Sequence, residues 1–172
     1  MSRIIRVLTR ALLLLLFLAM VQGCKIRYTM SGANITTEET ISVQYFPNRA
    51  QIVNPELSSE FTELLKDKFI SQTKLEMVSD GGDLNFEGEI SQYSTRPAAV
   101  RGDETASLTR LTIGIKVIFT NEKDPEKSFE SSFTQYEDFA ADQSLDEVEA
   151  ELVPQILEKI IEDIFNRAVV NW

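Results

Sequence analysis

The sequence predicts an α+β domain: a two-layer sandwich of mostly antiparallel sheet with two amphipathic helices packed on one face. Three observations predict it. Stretches at 40–46, 84–94, 108–120 and 128–139 alternate apolar and polar residues with a period of two, as half-buried strands do. Leu57, Phe61, Leu64, Leu65 and Phe69 recur at helical spacing, and so do Val148, Leu152, Ile156, Ile160 and Ile164. The order is strand, helix, several strands, helix, which buries most apolar surface when both helices cover the same face of the sheet.

The elements follow in turn. "TISVQYF" at 40–46 sets Ile41, Val43 and Tyr45 against Ser42, Gln44 and Phe46. "PNRAQIVNP" reads as a loop, and Asn54-Pro55 reads as a helix start, with Asn as the cap and Pro at the first helical position. "KLEMVS" is a short strand and "DGGD" at 80–83 its turn. "LNFEGEISQYS" points Leu84, Phe86, Gly88 and Ile90 inward, and the next strand does the same with Leu111, Ile113, Ile115, Val117 and Phe119. The connection from about Thr95 to Ser107 contains Pro97 and Gly102 and reads as an exposed loop. "NEKDPEK" is a turn, and "SFESSFTQYEDF" returns as a strand. Ser144 and Glu147 form a capping box for a helix whose apolar positions run on through Phe165 and Ala168 to Trp172. Pro154 either kinks this helix or marks where its main segment begins.

The first residues read as an address. Met1–Arg10 is basic, Ala11–Met20 is unbroken apolar sequence, and Val21, Gln22, Gly23 and Cys24 follow. This is the layout of a secretory signal peptide, with an apolar run too short for a membrane-spanning helix. "VQGC" resembles the bacterial lipobox, with an aliphatic Val21, a small Gly23 and then the cysteine; Gln22 departs from the usual small residue. The resemblance implies cleavage before Cys24, a diacylglyceryl thioether on its sulfur and acylation of the new amine. Two or more acyl chains hold a protein stably to a membrane. Lys25, where an Asp would signal retention at the inner membrane, implies outer-membrane delivery by the same resemblance. The expected division is a signal peptide at 1–23, a lipidated N-terminus and tether at 24–39, and one domain at 40–172.

Composition excludes several function classes. The chain of 172 residues is 43% hydrophobic and 26% charged, enough for one packed domain. Its net charge is −10; removing Arg3, Arg6 and Arg10 with the signal peptide leaves 14 basic against 27 acidic residues, a net of −13. Such a chain is a poor partner for nucleic acid, and charge alone would repel it from an anionic membrane. There is no histidine, which removes the commonest general base and metal ligand, and the one cysteine cannot form an internal disulfide.

Few motifs carry chemistry. "GGDLNF" lacks the Glu-Phe pair of the cyclic-dinucleotide signature GGDEF. Asp80 and Asp83 read as turn residues, since a calcium site wants six to eight oxygens. Glu87 and Glu89 share a strand face as catalytic carboxylates might, but alternating acids also mark a wetted strand. No nucleophile–base pair, phosphate loop, cofactor motif or metal-ligand cluster is present, so the expectation is no enzyme, no cofactor and no metal. Charge is uneven: residues 122–172 hold 14 acids and 4 bases, while residues 84–121 are balanced. Arg96, Arg101, Arg110 and Lys116 therefore stand out around one hairpin. They read as a solvated strand and loop, or as an anion-binding surface, since Arg forks grip phosphate well.

Taken in order, "SGANI" at 31–35, "TISVQYFPNRA" at 40–50, "NPELSSEFTELLKDKFISQTKLEMV" at 54–78, "GDLNFEGEISQY" at 82–93, "LTRLTIGIKVIFTN" at 108–121 and a terminal "DIFNRAVVNW" resemble the LptE-like lipoproteins of Gram-negative bacteria. The resemblance covers nearly all of the chain after Cys24 and rests on the order of segments. It implies an outer-membrane lipoprotein that assembles with and plugs the β-barrel LptD and helps deliver lipopolysaccharide to the outer leaflet. It also implies lipopolysaccharide binding, which gives the basic hairpin a phosphate-bearing partner. The alternative is a stand-alone periplasmic lipid-binding or carrier lipoprotein.

Overall fold

The computed structural model describes residues 37–52, 54–98 and 107–170. The expected signal peptide, Cys24, most of the tether, Arg101 and Trp172 lie outside the described residues. The element order is β1 (Thr40–Val43), α1 (Leu57–Gln72), β2 (Glu76–Val78), β3 (Leu84–Ala98), β4 (Leu108–Asn121), β5 (Phe129–Ala140) and α2 (Leu145–Phe165). The strands form one sheet in the order β2-β1-β3-β4-β5. The expected α+β sandwich is observed, with α1 and α2 packed against each other and against one sheet face.

β3, β4 and β5 are antiparallel neighbours, as expected for a run of consecutive strands. β1 runs parallel to both β2 and β3. Helix α1 is the crossover that parallel pairing of β1 and β2 demands. The link from β2 to β3 must then pass over β1, and the "DGGD" stretch does this. A Cβ on Gly82 would come within 2.7 Å of the Ile41 and Ser42 backbone, so only glycine lets the link lie this close. Gly81 takes a φ of 65°, which also favours glycine. Asp83 closes the link: its carboxylate accepts the N–H groups of Glu39 (2.8 Å) and Thr40 (3.2 Å) and faces Lys123 Nζ at 3.1 Å. These partners, the Glu39 N–H foremost, hold the Asp83 carboxyl below its usual range.

The inner face is apolar and aromatic. Phe86, Phe119 and Phe129 stand in register across β3, β4 and β5, with ring centroids 4.7 and 5.1 Å apart. Phe69 of α1 stacks onto Phe86 at 4.9 Å and onto Phe165 of α2 at 5.2 Å. One chain of rings therefore joins sheet and both helices. Asn54 caps α1 as expected, its side-chain oxygen accepting the N–H groups of Glu56 (2.8 Å) and Leu57 (3.1 Å). In α2 the Ser144 N–H bonds Glu147 at 3.0 Å, the returning half of a capping box. Pro154 lies inside one continuous helix, so it does not mark the start. It sits on the exposed side, where the carbonyl one turn earlier, left without its N–H donor, is open to solvent.

The structure corrects four local expectations. β1 ends at Val43, and Phe46, not Tyr45, points into the core. The Phe46 N–H is captured by Thr62 Oγ1 at 3.2 Å and its ring meets Phe61 edge-on at 5.0 Å, while Tyr45 is 60% exposed. Leu64 is partly exposed, because α1 turns Ser58 and Thr62 inward beside Leu57, Phe61, Leu65 and Phe69. The stretch from Thr95 to Ala98 is strand, paired down to Ala98 opposite Leu108. Finally, the ladder skips between Ile90 and Gln92, a bulge at Ser91. Beyond it the inward positions change parity, so Tyr93 is buried and Arg96 faces outward.

Phe86→Ala is expected to destabilise the fold by about 3–5 kcal/mol through cavity formation. Tyr45→Ala, an exposed change, stays within about 0.5 kcal/mol. Urea unfolding of both variants checks this contrast. The depressed carboxyls of Asp83, Asp138 and Glu162 add stability that is present above their unfolded-state values and lost as pH falls through the folded ones. Glu60, raised by burial, opposes this in sign. The stability gap between wild type and Asp83→Asn should therefore be largest at neutral pH and shrink below about pH 4, as urea titrations at several pH values would show.

Candidate functional site

The outer sheet face carries the polar alternates of each strand: Asn85, Glu87 and Glu89 on β3, Lys116 and Thr120 on β4, Glu130, Thr134 and Asp138 on β5. Near β1 this face is concave, forming an open hollow of about 770 Å³ whose walls include Tyr45, Asp80, Glu87, Glu89, Lys116 and Glu122. Its rim is set by the link over β1: Gln44 Nε2 donates to Ser79 O and to Asp80 Oδ1, each at 3.3 Å. Ser42 and Asn85 hydrogen-bond each other beneath it, and Asn85 Nδ2 donates to Gly82 O at 2.7 Å. The hollow is acidic; among the described residues Lys116 is the one cation that lines it, and it is paired with Glu130 at 2.6 Å. The Glu130 partner raises the Lys116 ammonium above its usual range.

Of the four cations singled out in the sequence, the three that are described, Arg96, Arg110 and Lys116, do not form one cluster. Arg96 stands directly opposite Arg110 on the outer face, toward the far end of the β3–β4 hairpin. Lys116 lies opposite Glu89, six residues along β4 from Arg110. At strand rise that is about 20 Å away. The Arg110 guanidinium grips Asp138 with two hydrogen bonds, 2.7 and 2.8 Å, and lies 3.6 Å from the Tyr136 ring centroid. Arg110 is raised and Asp138 lowered by this fork. Arg96 is exposed.

Sequence reasoning missed two features. The alternation in sequence puts Tyr45 on the core side, which hides its place at the hollow, and no local signal shows that the short stretch between β2 and β3 crosses β1. Behind the face, the Tyr93 hydroxyl and Asn54 Nδ2 both donate to Glu149 Oε1, the latter at 2.8 Å, tying β3 to both helices. Burial first, then Glu149, pushes the Tyr93 phenol up. No local pattern joins residues this far apart in sequence.

A small α+β domain that covers one sheet face with helices and leaves the other open, polar and extended by a long hairpin is built to present that face. A sequence model of the LptE family, described as lipopolysaccharide-assembly, matches residues 38–168. The chain belongs to this family. No curated protein matches the sequence. Among solved structures, a minor lipoprotein from Acinetobacter baumannii is 10% identical with a TM-score of 0.47, covering 77% of this chain and 93% of its own. A neuraminyllactose-binding hemagglutinin homolog from Helicobacter pylori is 11% identical with a TM-score of 0.49, covering 84% and 91%. The rare lipoprotein B from Shewanella oneidensis is 10% identical with a TM-score of 0.43, covering 73% and 89%.

Arg110→Ala is expected to leave Tm nearly unchanged, since an exposed ion pair contributes little. Thermal unfolding of the variant checks this. A binding defect in it then reports the surface and not the fold.

Proposed function

We propose that this chain is an outer-membrane lipoprotein, anchored through lipid on Cys24, that seats in the LptD barrel and assists lipopolysaccharide delivery to the outer leaflet. It works by binding, without catalysis. Family membership supports the lipopolysaccharide role. The observation that carries the barrel reading is the open outer face, whose exposed side chains are mostly polar along β3, β4 and β5, with Ile118 and Tyr136 among them. Lumens of large outer-membrane barrels are polar, so a plug must offer such a surface and needs no active site. The lipid anchor overcomes the repulsion that a net charge of −13 would meet at an anionic surface.

Crosslinking from the outer sheet face in intact outer membranes tests the reading. A stoichiometric barrel adduct is expected. A monomer that carries lipid and yields no barrel adduct would favour the stand-alone carrier. Depletion should leave the barrel misassembled and surface lipopolysaccharide reduced. The hairpin cations are proposed to meet lipid A phosphates. Arg96→Ala combined with Arg101→Ala should weaken lipopolysaccharide binding more than Lys159→Ala does, as direct titration would measure. Equal affinities would remove the anion-site role.

A further inference from the structure

The link from β2 to β3 holds a reactive pair of residues that binding does not use. Asp80-Gly81 is the one Asp-Gly pair in the sequence, and Asn-Gly does not occur. Every other aspartate is followed by a residue with a Cβ, which crowds that residue's own amide nitrogen. Asp80 and Gly81 are both exposed and lie outside the strands. A Cβ built on Gly81 would meet nothing within 4 Å, so there is open space for a ring to form. The Gly81 N–H is donated to Asp80 Oδ1 at 2.9 Å, which holds its nitrogen against the carboxyl of the preceding residue. Other aspartates are tied differently. The Asp83 carboxylate accepts the Glu39 and Thr40 N–H groups, and Asp138 is held in the Arg110 fork. Asp124 precedes Pro125, whose nitrogen carries no hydrogen.

We propose that Asp80 is a site of spontaneous isomerisation to isoaspartate, with water as the only co-reactant. The Gly81 nitrogen attacks the Asp80 carboxyl carbon. An N–C bond forms, the C–OH bond breaks, and the amide proton leaves with the hydroxyl as water. The product is a five-membered succinimide. Water then opens this ring at one of its two carbonyls. Opening at the side-chain carbonyl restores aspartate. Opening at the main-chain carbonyl leaves isoaspartate, with no net change in mass. Attack within one residue pair has the high effective molarity of an intramolecular step, and the longer arm of glutamate gives up part of it.

The change falls on the rim of the hollow. In the isomer the main chain runs through Cβ and Cγ of residue 80, so the link over β1 gains one methylene and the carboxylate sits directly on Cα. Gln44 Nε2 donates both to Asp80 Oδ1 and to Ser79 O, and the isomer moves the first of these acceptors. Gly82 remains pressed against the Ile41 and Ser42 backbone, which keeps the change out of the core. The inference does not rest on the barrel reading, because the reaction needs neither barrel nor lipid.

Prolonged incubation of the purified chain in warm neutral buffer made with heavy-oxygen water tests it. Electron-transfer mass spectrometry of proteolytic peptides then separates isoaspartate from aspartate. Isoaspartate carrying heavy oxygen is expected at residue 80, about tenfold or more above any other aspartate. Asp80→Glu keeps the charge but requires a six-membered ring, and Gly81→Ala crowds the nitrogen. Each should lower the yield of isomer about tenfold or more. Both changes are exposed, so circular dichroism of the two variants should match wild type. The proposal is overturned if residue 80 stays aspartate, if the product is spread evenly over the other aspartates, or if Asp80→Glu isomerises as fast as wild type. Isoaspartate that carries no heavy oxygen would exclude the succinimide and overturn it as well.

Discussion

The row of phenylalanine rings is the constraint on which the other elements depend. Phe86, Phe119 and Phe129 occupy one rung across three strands, so the register of both hairpins is set by a single line of ring contacts. A slip of one residue in either ladder would turn a ring to the solvent side. Phe69 and Phe165 then place the two helices on that row. Aromatic pairs add geometric preference to their buried area, which makes such a row a register device as well as a core.

The aromatic row also leaves the opposite face free. Most strand residues that face away from it are released from packing, and that surface carries carboxylates, hydroxyls and a few cations beside the exposed Ile118 and Tyr136. The two clearest cation pairs, Arg110–Asp138 and Lys116–Glu130, run between adjacent strands on this face. Cross-strand pairs of opposite charge support the sheet modestly without covering it. The face thus remains available to a partner. In a member of a lipopolysaccharide-assembly family, a presented polar surface is the property that a plug or a binding subunit requires.

Much of this was legible in the sequence because the signals were local. The periodicities placed four of the five strands and both helices. Asn54-Pro55 and Ser144 with Glu147 fixed the helix starts, since a cap and its targets lie within one turn. What was illegible depends on pairs distant along the chain. The parallel setting of β1 needs knowledge of which strands become neighbours. Phe46 displaces Tyr45 from the core because Thr62, sixteen residues on, captures its N–H. The basic residues were visible as a group in sequence, but the distance of Lys116 from Arg96 and Arg110 depends on ladder register. Arg110 was readable as a cation; that its fork is filled by Asp138 was not.

The bulge at Ser91 makes the long hairpin two segments that are out of phase. At the base of β3, even-numbered positions belong to the core; past the bulge they belong to solvent. Each half is thereby free to vary on its own terms. Substitutions that retune the tip leave the aromatic row untouched, and the base can be repacked without altering what the tip displays. One unpaired residue works as a clutch between the part of the strand that holds the molecule together and the part that meets its surroundings.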